Sequence, residues 1–300
     1  MSKEFLLRGI DGSNPLGFLA AVGTLRMLPG ARLGWILDEG MWRPRLTTQD
    51  PDSEENLCAR VAERARLEPP EISVLGKNLT VSAPVFLEYA DRCAQRLYAG
   101  DQRAADYASA FGSEVCVDQK KDRIEYTSWS FITGSGHQDF VTTVSRLCES
   151  VTAKHIQETL FGQWMYQDKS LSFRWDPADA AEYALSASNP SKDGARTVWG
   201  ANRLAFEALP LLPVQPTLGG LRTTGFQENH YPEEFTWPIW YSPLAVDTVR
   251  SLLSLKQLQE EYPPRPSLCA MGIGEIFRSP RVRIGQGANF KVSFRPARSA

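Results

Sequence analysis

The residues best placed to do chemistry are basic ones near the end of the chain. Residues 278–300 contain six arginine or lysine side chains and no acid. A guanidinium group binds a phosphate through paired hydrogen bonds, so this segment could hold the backbone of a nucleic acid. Arg281 and Arg283 lie two positions apart in a strand-like stretch, so we expect both on one face, with Lys291 or Arg295 nearby on the returning strand. The alternative is a basic edge strand that protects against aggregation.

Further polar side chains extend this hypothesis. Amides in the turn before the last strand could read base edges. Arg222 lies between two glycines and two threonines and could bind a phosphate. The alternative is an ordinary turn that leads into a strand. A predicted hairpin tip carries two lysines. The predicted nucleic-acid-binding residues are Lys120, Lys121, Arg222, Arg278, Arg281, Arg283, Gln286, Asn289, Lys291 and Arg295.

Catalytic patterns are weak in this chain. It has three histidines, His137, His155 and His230. The sequence contains no His-Glu-x-x-His, no Gly-x-Ser-x-Gly and no Walker-type loop. The alternative to a non-catalytic protein is a hydrolytic or nucleotide-handling enzyme with a site around Ser135, His137 and Asp139. We predict no catalytic residue and no cofactor.

A metal site is the weaker interpretation of one acidic stretch. Asp176, Asp179 and Glu182 are close in sequence and could bind a cation. A solvated helix start after Pro177 explains the same residues, because carboxylates are favoured in the first turn of a helix. We therefore predict no metal ligands.

The element that must position these residues is the stretch 11–26. Asn14 is a good N-cap, Pro15 fits the first helical position, and the following residues are apolar on every side. Such a helix is expected at the centre of the fold. The turn before it could also offer backbone N–H groups to a phosphate, although the carboxylate of Asp11 opposes an anion there.

Composition restricts the class of protein. The 300 residues carry a formal net charge of −2, so a nucleic-acid-binding surface must be a local patch. Five widely spaced cysteines include no Cys-x-x-Cys pair, which argues against zinc or disulfides and favours buried thiols in a reducing cytosol. With no secretory signal and no apolar run of about 18 residues, we expect a soluble cytoplasmic protein.

Periodicity predicts an α+β fold, with a helix-rich N-terminal half and a strand-rich C-terminal half around an antiparallel or mixed sheet. The halves are residues 1–165 and 166–300, the second rich in tryptophan and proline with the basic end segment; they could form one continuous domain. We predict helices at 54–67, 83–99, 102–111, 137–151, 154–164, 200–209 and 243–258, and strands at 5–10, 32–38, 114–117, 124–132, 171–175, 183–187, 221–226, 235–240, 271–277, 281–284 and 290–294.

Several stretches together resemble a known family. They are GIDGSNPLGFLAA (9–21), FITGSGHQ (131–138), RWDP (174–177), WGANRLAFEALPLLP (199–213), WPIW (237–240) and the Pro-Leu pair at 243–244. Their order is similar to that of the accessory or large-subunit-like proteins of type I-G (formerly I-U) CRISPR Cascade effector complexes.

This resemblance implies a non-catalytic subunit of an RNA-guided surveillance complex in antiviral defence. Such a subunit contacts target double-stranded DNA, at the protospacer-adjacent motif or the displaced strand, while a separate helicase-nuclease cleaves it. Its partners would be the other subunits and their guide RNA, with no membrane involved. A scaffold without nucleic-acid contact is a third possibility.

Overall fold

The computed structural model describes residues 2–131, 139–178, 196–227, 232–286 and 289–300, with the backbone alone at 285–286 and 289–290. Helices and antiparallel sheets are mixed, which confirms the α+β class. Helices also lie after residue 166 and strands before it, and the predicted division at that point stays a prediction. Within the described ranges, no helix combines the length and apolar composition that a membrane crossing requires.

The described helices are α1 (Pro15–Met27), α2 (Glu54–Ala65), α3 (Ala83–Tyr98), α4 (Gln102–Phe111), α5 (Phe140–Ser150), α6 (Ala153–Phe161), α7 (Trp199–Phe206), α8 (Val246–Leu253) and α9 (Arg265–Ala270). Three short 3₁₀ turns accompany them, at Ile72–Leu75, Leu209–Leu211 and Lys256–Gln259.

The described strands are β1 (Lys3–Leu6), β2 (Arg32–Asp38), β3 (Met41–Thr48), β4 (Gly112–Asp118), β5 (Arg123–Tyr126), β6 (Asp168–Lys169), β7 (Arg196–Thr197), β8 (Val214–Thr217), β9 (Gly220–Thr223), β10 (Glu234–Trp240), β11 (Leu244–Ala245), β12 (Ile273–Gln286), β13 (Asn289–Phe294) and β14 (Arg298–Ser299). One sheet has the order β1-β3-β2-β11, and a second has the order β10-β12-β13 with β14 also on β12. β4–β5, β6–β7 and β8–β9 form separate two-stranded sheets.

Helix α1 is the centre of the fold, as its sequence predicts. The side chain of Asn14 accepts hydrogen bonds from the backbone N–H groups of Leu16 and Gly17, at 2.8 and 3.2 Å. Every residue of α1 except Arg26 is buried. A Cβ atom at Gly23 would lie 1.8 Å from the carbonyl oxygen of Leu204, so the backbones of α1 and α7 touch at that point.

Aromatic side chains connect α1 to both larger sheets. The ring of Phe18 lies within 6.2 Å of the rings of Trp35, Trp237 and Trp240, measured between centroids. The indole N–H of Trp240 donates a hydrogen bond to the carbonyl of Leu33 at 2.6 Å. This bond joins β10 of the second sheet to β2 of the first. These contacts make a core that both sheets share.

Some predicted elements are wrong or shifted. Residues 171–175 form no strand, and the strand predicted at 124–132 ends at Tyr126. The helix predicted from residue 243 begins at Val246 because residues 244–245 are used as β11. The two strands predicted at 271–277 and 281–284 are one, since β12 pairs with β10 up to Pro280 and with β13 from Arg281 onward. The strand predicted at 183–187 lies outside the described residues.

Candidate nucleic-acid interface

A cleft of about 550 Å³ lies between two hairpins that are far apart in sequence, β4–β5 and β12–β13. We call it the hairpin cleft. Its lining consists of Asp118, Lys121, Arg123, Ile124, Glu125, Tyr126, Thr127, Ser128, Ser130, Phe131, Leu221, Glu233, Arg281 and Val292. Two of the residues predicted to bind nucleic acid, Lys121 and Arg281, therefore meet at one place.

Arg281 is fixed in the wall of this cleft. Its guanidinium donates to the carbonyl oxygen of Ser128 at 2.6 Å and forms an ion pair with Glu233 at 2.5 Å. The same group lies over the rings of Phe131 and Phe226, 5.6 and 5.9 Å from their centroids. Burial lowers the pKa of Arg281, but an arginine stays charged at any physiological pH. Its charge is thus held in one position.

The β4–β5 hairpin supplies two further cations, Lys121 and Arg123. The ammonium group of Lys121 lies 3.0 Å from the carboxylate of Asp118, and its side chain is 60% exposed. The hydrogen bond from Lys121 lowers the pKa of Asp118. Arg123 lies over the ring of Tyr126, 5.9 Å from its centroid. Lys121 is thus exposed to solvent, whereas Arg123 is half-buried against an aromatic ring.

Carboxylates balance these cations. Asp118 and Glu233 pair with Lys121 and Arg281, and Glu125 accepts the backbone N–H of Leu221 at 2.6 Å. A phosphate in the cleft would therefore bind by exchanging one of these partners, since the cations are not isolated.

The β12–β13 register tests the prediction about the C-terminal basic residues. Arg281 pairs with Phe294 and Arg283 with Val292, so the two arginines share one face, as predicted. Lys291 pairs with Ile284, and the backbone of Arg295 bonds to Pro280. Both basic residues of the returning strand therefore lie beside β12, as expected, but on the face opposite to the two arginines.

The remaining predicted residues are dispersed. Arg278 is buried and donates to the carbonyls of Leu258, Glu260 and Glu261, so it holds a loop in place. Arg222 lines a different cleft together with Arg278. Lys120 is exposed at the tip of the β4–β5 hairpin. The backbones of Gln286 and Asn289 pair at the end of β12–β13, and their side chains lie outside the description.

Sequence reasoning missed Arg123 and Tyr126 as members of the site. The signal was present, because Arg123 follows the two lysines at the same hairpin tip. Glu233 could not be found in this way, since its pairing with Arg281 joins residues 48 positions apart in the chain. Long-range partners leave no periodic pattern in a sequence.

Most residues of the other candidate sites lie outside the described part of the chain. Ser135 and His137 lie outside the described residues, and so do Asp179 and Glu182. Asp176 is buried and accepts hydrogen bonds from Asn14, Tyr166 and the backbone of Ala178, which caps the turn after Pro177. Burial raises the pKa of Asp176. The part of the chain that is described holds no group of three potential metal ligands.

The donors of the turn before α1 are already bonded within the protein, so the structure favours the buried core helix over the alternative of an anion site. The side chain of Asn14 already occupies the N–H groups of Leu16 and Gly17. The carboxylate of Asp11 accepts from the N–H of Ser13 at 3.0 Å, and the N–H of Gly12 bonds to the carbonyl of Trp42 at 2.7 Å. The donors that a phosphate would need are therefore used within the protein.

Comparisons of the chain with protein-family models, with curated proteins and with solved structures find no match.

Proposed function

We propose that this protein is a non-catalytic, cytoplasmic subunit of a type I-G-like CRISPR surveillance complex and contacts the backbone of target DNA through the hairpin cleft. Two considerations support the proposal. The first is the sequence resemblance described above. The second, which carries it, is that Lys121 and Arg281, predicted independently from distant stretches, line the same cleft.

The composition of the hairpin cleft fits a backbone contact better than base recognition. Lys121, Arg123 and Arg281 are cations that bind phosphates, and Ser128 and Ser130 add hydroxyl groups. No asparagine or glutamine, the usual readers of adenine, belongs to the described lining. Arg283 extends the same face of β12 beyond the cleft and is exposed. We therefore expect affinity that depends strongly on salt and weakly on sequence.

The first test is a salt titration. We expect Lys121→Ala/Arg123→Ala to weaken binding of the full chain to a fluorescent DNA duplex in anisotropy measurements. Because each lost phosphate contact removes roughly 0.9 from the slope of log affinity against log salt, the slope should fall by about 2. The matched control is Arg64→Ala/Arg66→Ala, which removes the same charge from exposed positions at the end of α2.

The proposal fails if the two double variants bind alike, because net charge and not the cleft would then set the affinity. A second experiment addresses the complex. The protein, purified from its native cells, should carry a guide-sized RNA and several other subunits. Purification of the chain alone, without RNA, would contradict membership of such a complex even if DNA binding were confirmed.

A further inference from the structure

A second cleft, of about 710 Å³, lies where the 3₁₀ turn Lys256–Gln259 approaches β12 and β14. We call it the glutamine cleft and define it by Gln227, Lys256, Gln259, Tyr262, Arg278 and Arg298, which all line it. Its volume is within the range of sites that bind small molecules, roughly 300 to 1,000 Å³. The hairpin cleft shares none of these residues.

The wall of the glutamine cleft contains polar atoms without partners. Both the Oε1 and the Nε2 atom of Gln259 lack a hydrogen bond, as does Oε1 of Gln227. Nε of Arg278 is also unpartnered, in a residue that is only 4% exposed. Buried polar groups in proteins are nearly always bonded, because an unpaired one costs free energy. These four atoms belong to residues that line one cleft, so a ligand that reached them would supply the missing hydrogen bonds.

The groups of the glutamine cleft define the chemistry of that partner. A carboxamide offers one donor and one acceptor side by side, which matches the N6 and N7 edge of adenine. Tyr262, a residue of the lining, is 82% exposed, so a base can stack on its ring. Lys256 is an exposed cation with no ion pair among the described residues, and it can hold a phosphate.

The acidic residues nearby restrict the charge of the ligand. Glu234 pairs with Arg298 at 2.8 Å, and Glu260 and Glu261 are residues of the same lining. These carboxylates would repel a triphosphate more than a single phosphate. A ligand with one base and one phosphate fits the distribution of charge best.

We propose that the glutamine cleft binds one adenine nucleotide as a monophosphate unit, with the base on Tyr262, its edge bonded to Gln259 and its phosphate at Lys256. The unpartnered atoms are shielded from water, so the side chain of Gln259 rotates as the ligand enters. That rotation breaks no hydrogen bond of the Gln259 side chain. The unit is either free AMP or an unpaired nucleotide of a strand, and the site is independent of the hairpin cleft.

Calorimetry on the full chain tests this proposal with AMP, ribose 5-phosphate and the single strands (dA)₁₀ and (dT)₁₀ as probes. We expect AMP to bind and ribose 5-phosphate to bind at least tenfold more weakly, because it lacks the base. If the affinity for (dA)₁₀ is far higher than that for AMP, the natural ligand is a nucleotide within a strand. If the two affinities are equal per nucleotide, the natural ligand is free AMP. Both outcomes support the site.

Variants decide the role of the named residues. Gln259→Leu should weaken AMP binding at least tenfold while the melting temperature stays the same or rises, because two unpaired polar atoms are removed. Gln257→Leu, on the same 3₁₀ turn but outside the lining, is the matched control. Tyr262→Ala, at an exposed position, provides a second variant that does not depend on packing. Failure of AMP and (dA)₁₀ to bind, or equal affinity of the Gln259 and Gln257 variants, would overturn the proposal.

Discussion

At the scale of single residues, one buried carboxylate joins distant parts of the chain. Glu207 is 2% exposed, and its Oε1 atom accepts from Arg203 and Arg103 at 2.8 and 2.9 Å. Its Oε2 atom accepts from Arg26 at 2.6 Å. Burial alone would raise the pKa of Glu207, but the three guanidinium groups outweigh it and hold that pKa far below its ordinary value.

Glu207→Gln should destabilise the protein by about 3–5 kcal/mol, the usual effect of leaving a buried charge without its partner. Arg203 is fully buried and would keep its charge, which explains the size of the loss. Urea unfolding followed by circular dichroism measures the effect. Asp247→Asn is the control, because Asp247 is 87% exposed at 3.8 Å from Arg250 and should change stability by less than about 1 kcal/mol.

The same carboxylate predicts a dependence on pH. A lowered pKa in the folded state means that the stabilisation by Glu207 is complete above its unfolded pKa of about 4.5 and is lost as the pH falls toward the folded pKa. The difference in unfolding free energy between wild type and Glu207→Gln should therefore shrink from pH 7 to pH 3. A difference that is constant over this range would show that the charge of Glu207 is not responsible.

At the scale of elements, the contact between α1 and α7 determines how closely the helices approach. Gly23→Ala places a methyl group 1.8 Å from the carbonyl oxygen of Leu204, so the backbones must move apart. We expect a loss of at least about 1–3 kcal/mol, the range for overpacked cores. Gly219→Ala is the matched control, because its nearest atom would be 3.8 Å away. Equal melting temperatures of the two variants would contradict close contact at α1.

Elements with a local signal could be predicted from the sequence, and those defined by a distant partner could not. Asn14 and Pro15 mark the start of α1, and the residues that follow are apolar, so the element and its burial are both evident. The shared face of Arg281 and Arg283 follows from strand periodicity. The position of Lys291 depends on the register of β13, and the bond from Arg281 to Ser128 joins residues 153 positions apart. Both features depend on residues from two separate segments, so the pattern within one segment cannot predict them.

At the scale of the whole molecule, the two parts of the sequence share a sheet. β11, at residues 244–245, pairs with β2 at residues 32–33. The rings of Trp35 and Trp240 pack edge to face, with centroids 6.0 Å apart. The described core is thus made jointly by residues from both predicted halves.

A fragment of residues 1–165 should therefore lack a cooperative thermal transition. It would expose the face of α1 that contacts α7 and the edge of β2 that pairs with β11. Near-UV circular dichroism and calorimetry of the fragment, compared with the full chain, measure this. A cooperative melt of the isolated fragment would instead establish the first half as a domain that folds alone.

The indoles in the core have an optical consequence. Trp129 and Trp175 lie edge to face with their centroids 5.4 Å apart, and Trp129 follows Ser128, whose carbonyl accepts from Arg281. Two indoles at this separation share excitation energy, so their ultraviolet emission responds to small displacements of either ring. An occupant that moves Arg281 would change that emission without any attached dye. We therefore expect binding in the hairpin cleft to change tryptophan emission, and Trp175→Phe to reduce that change.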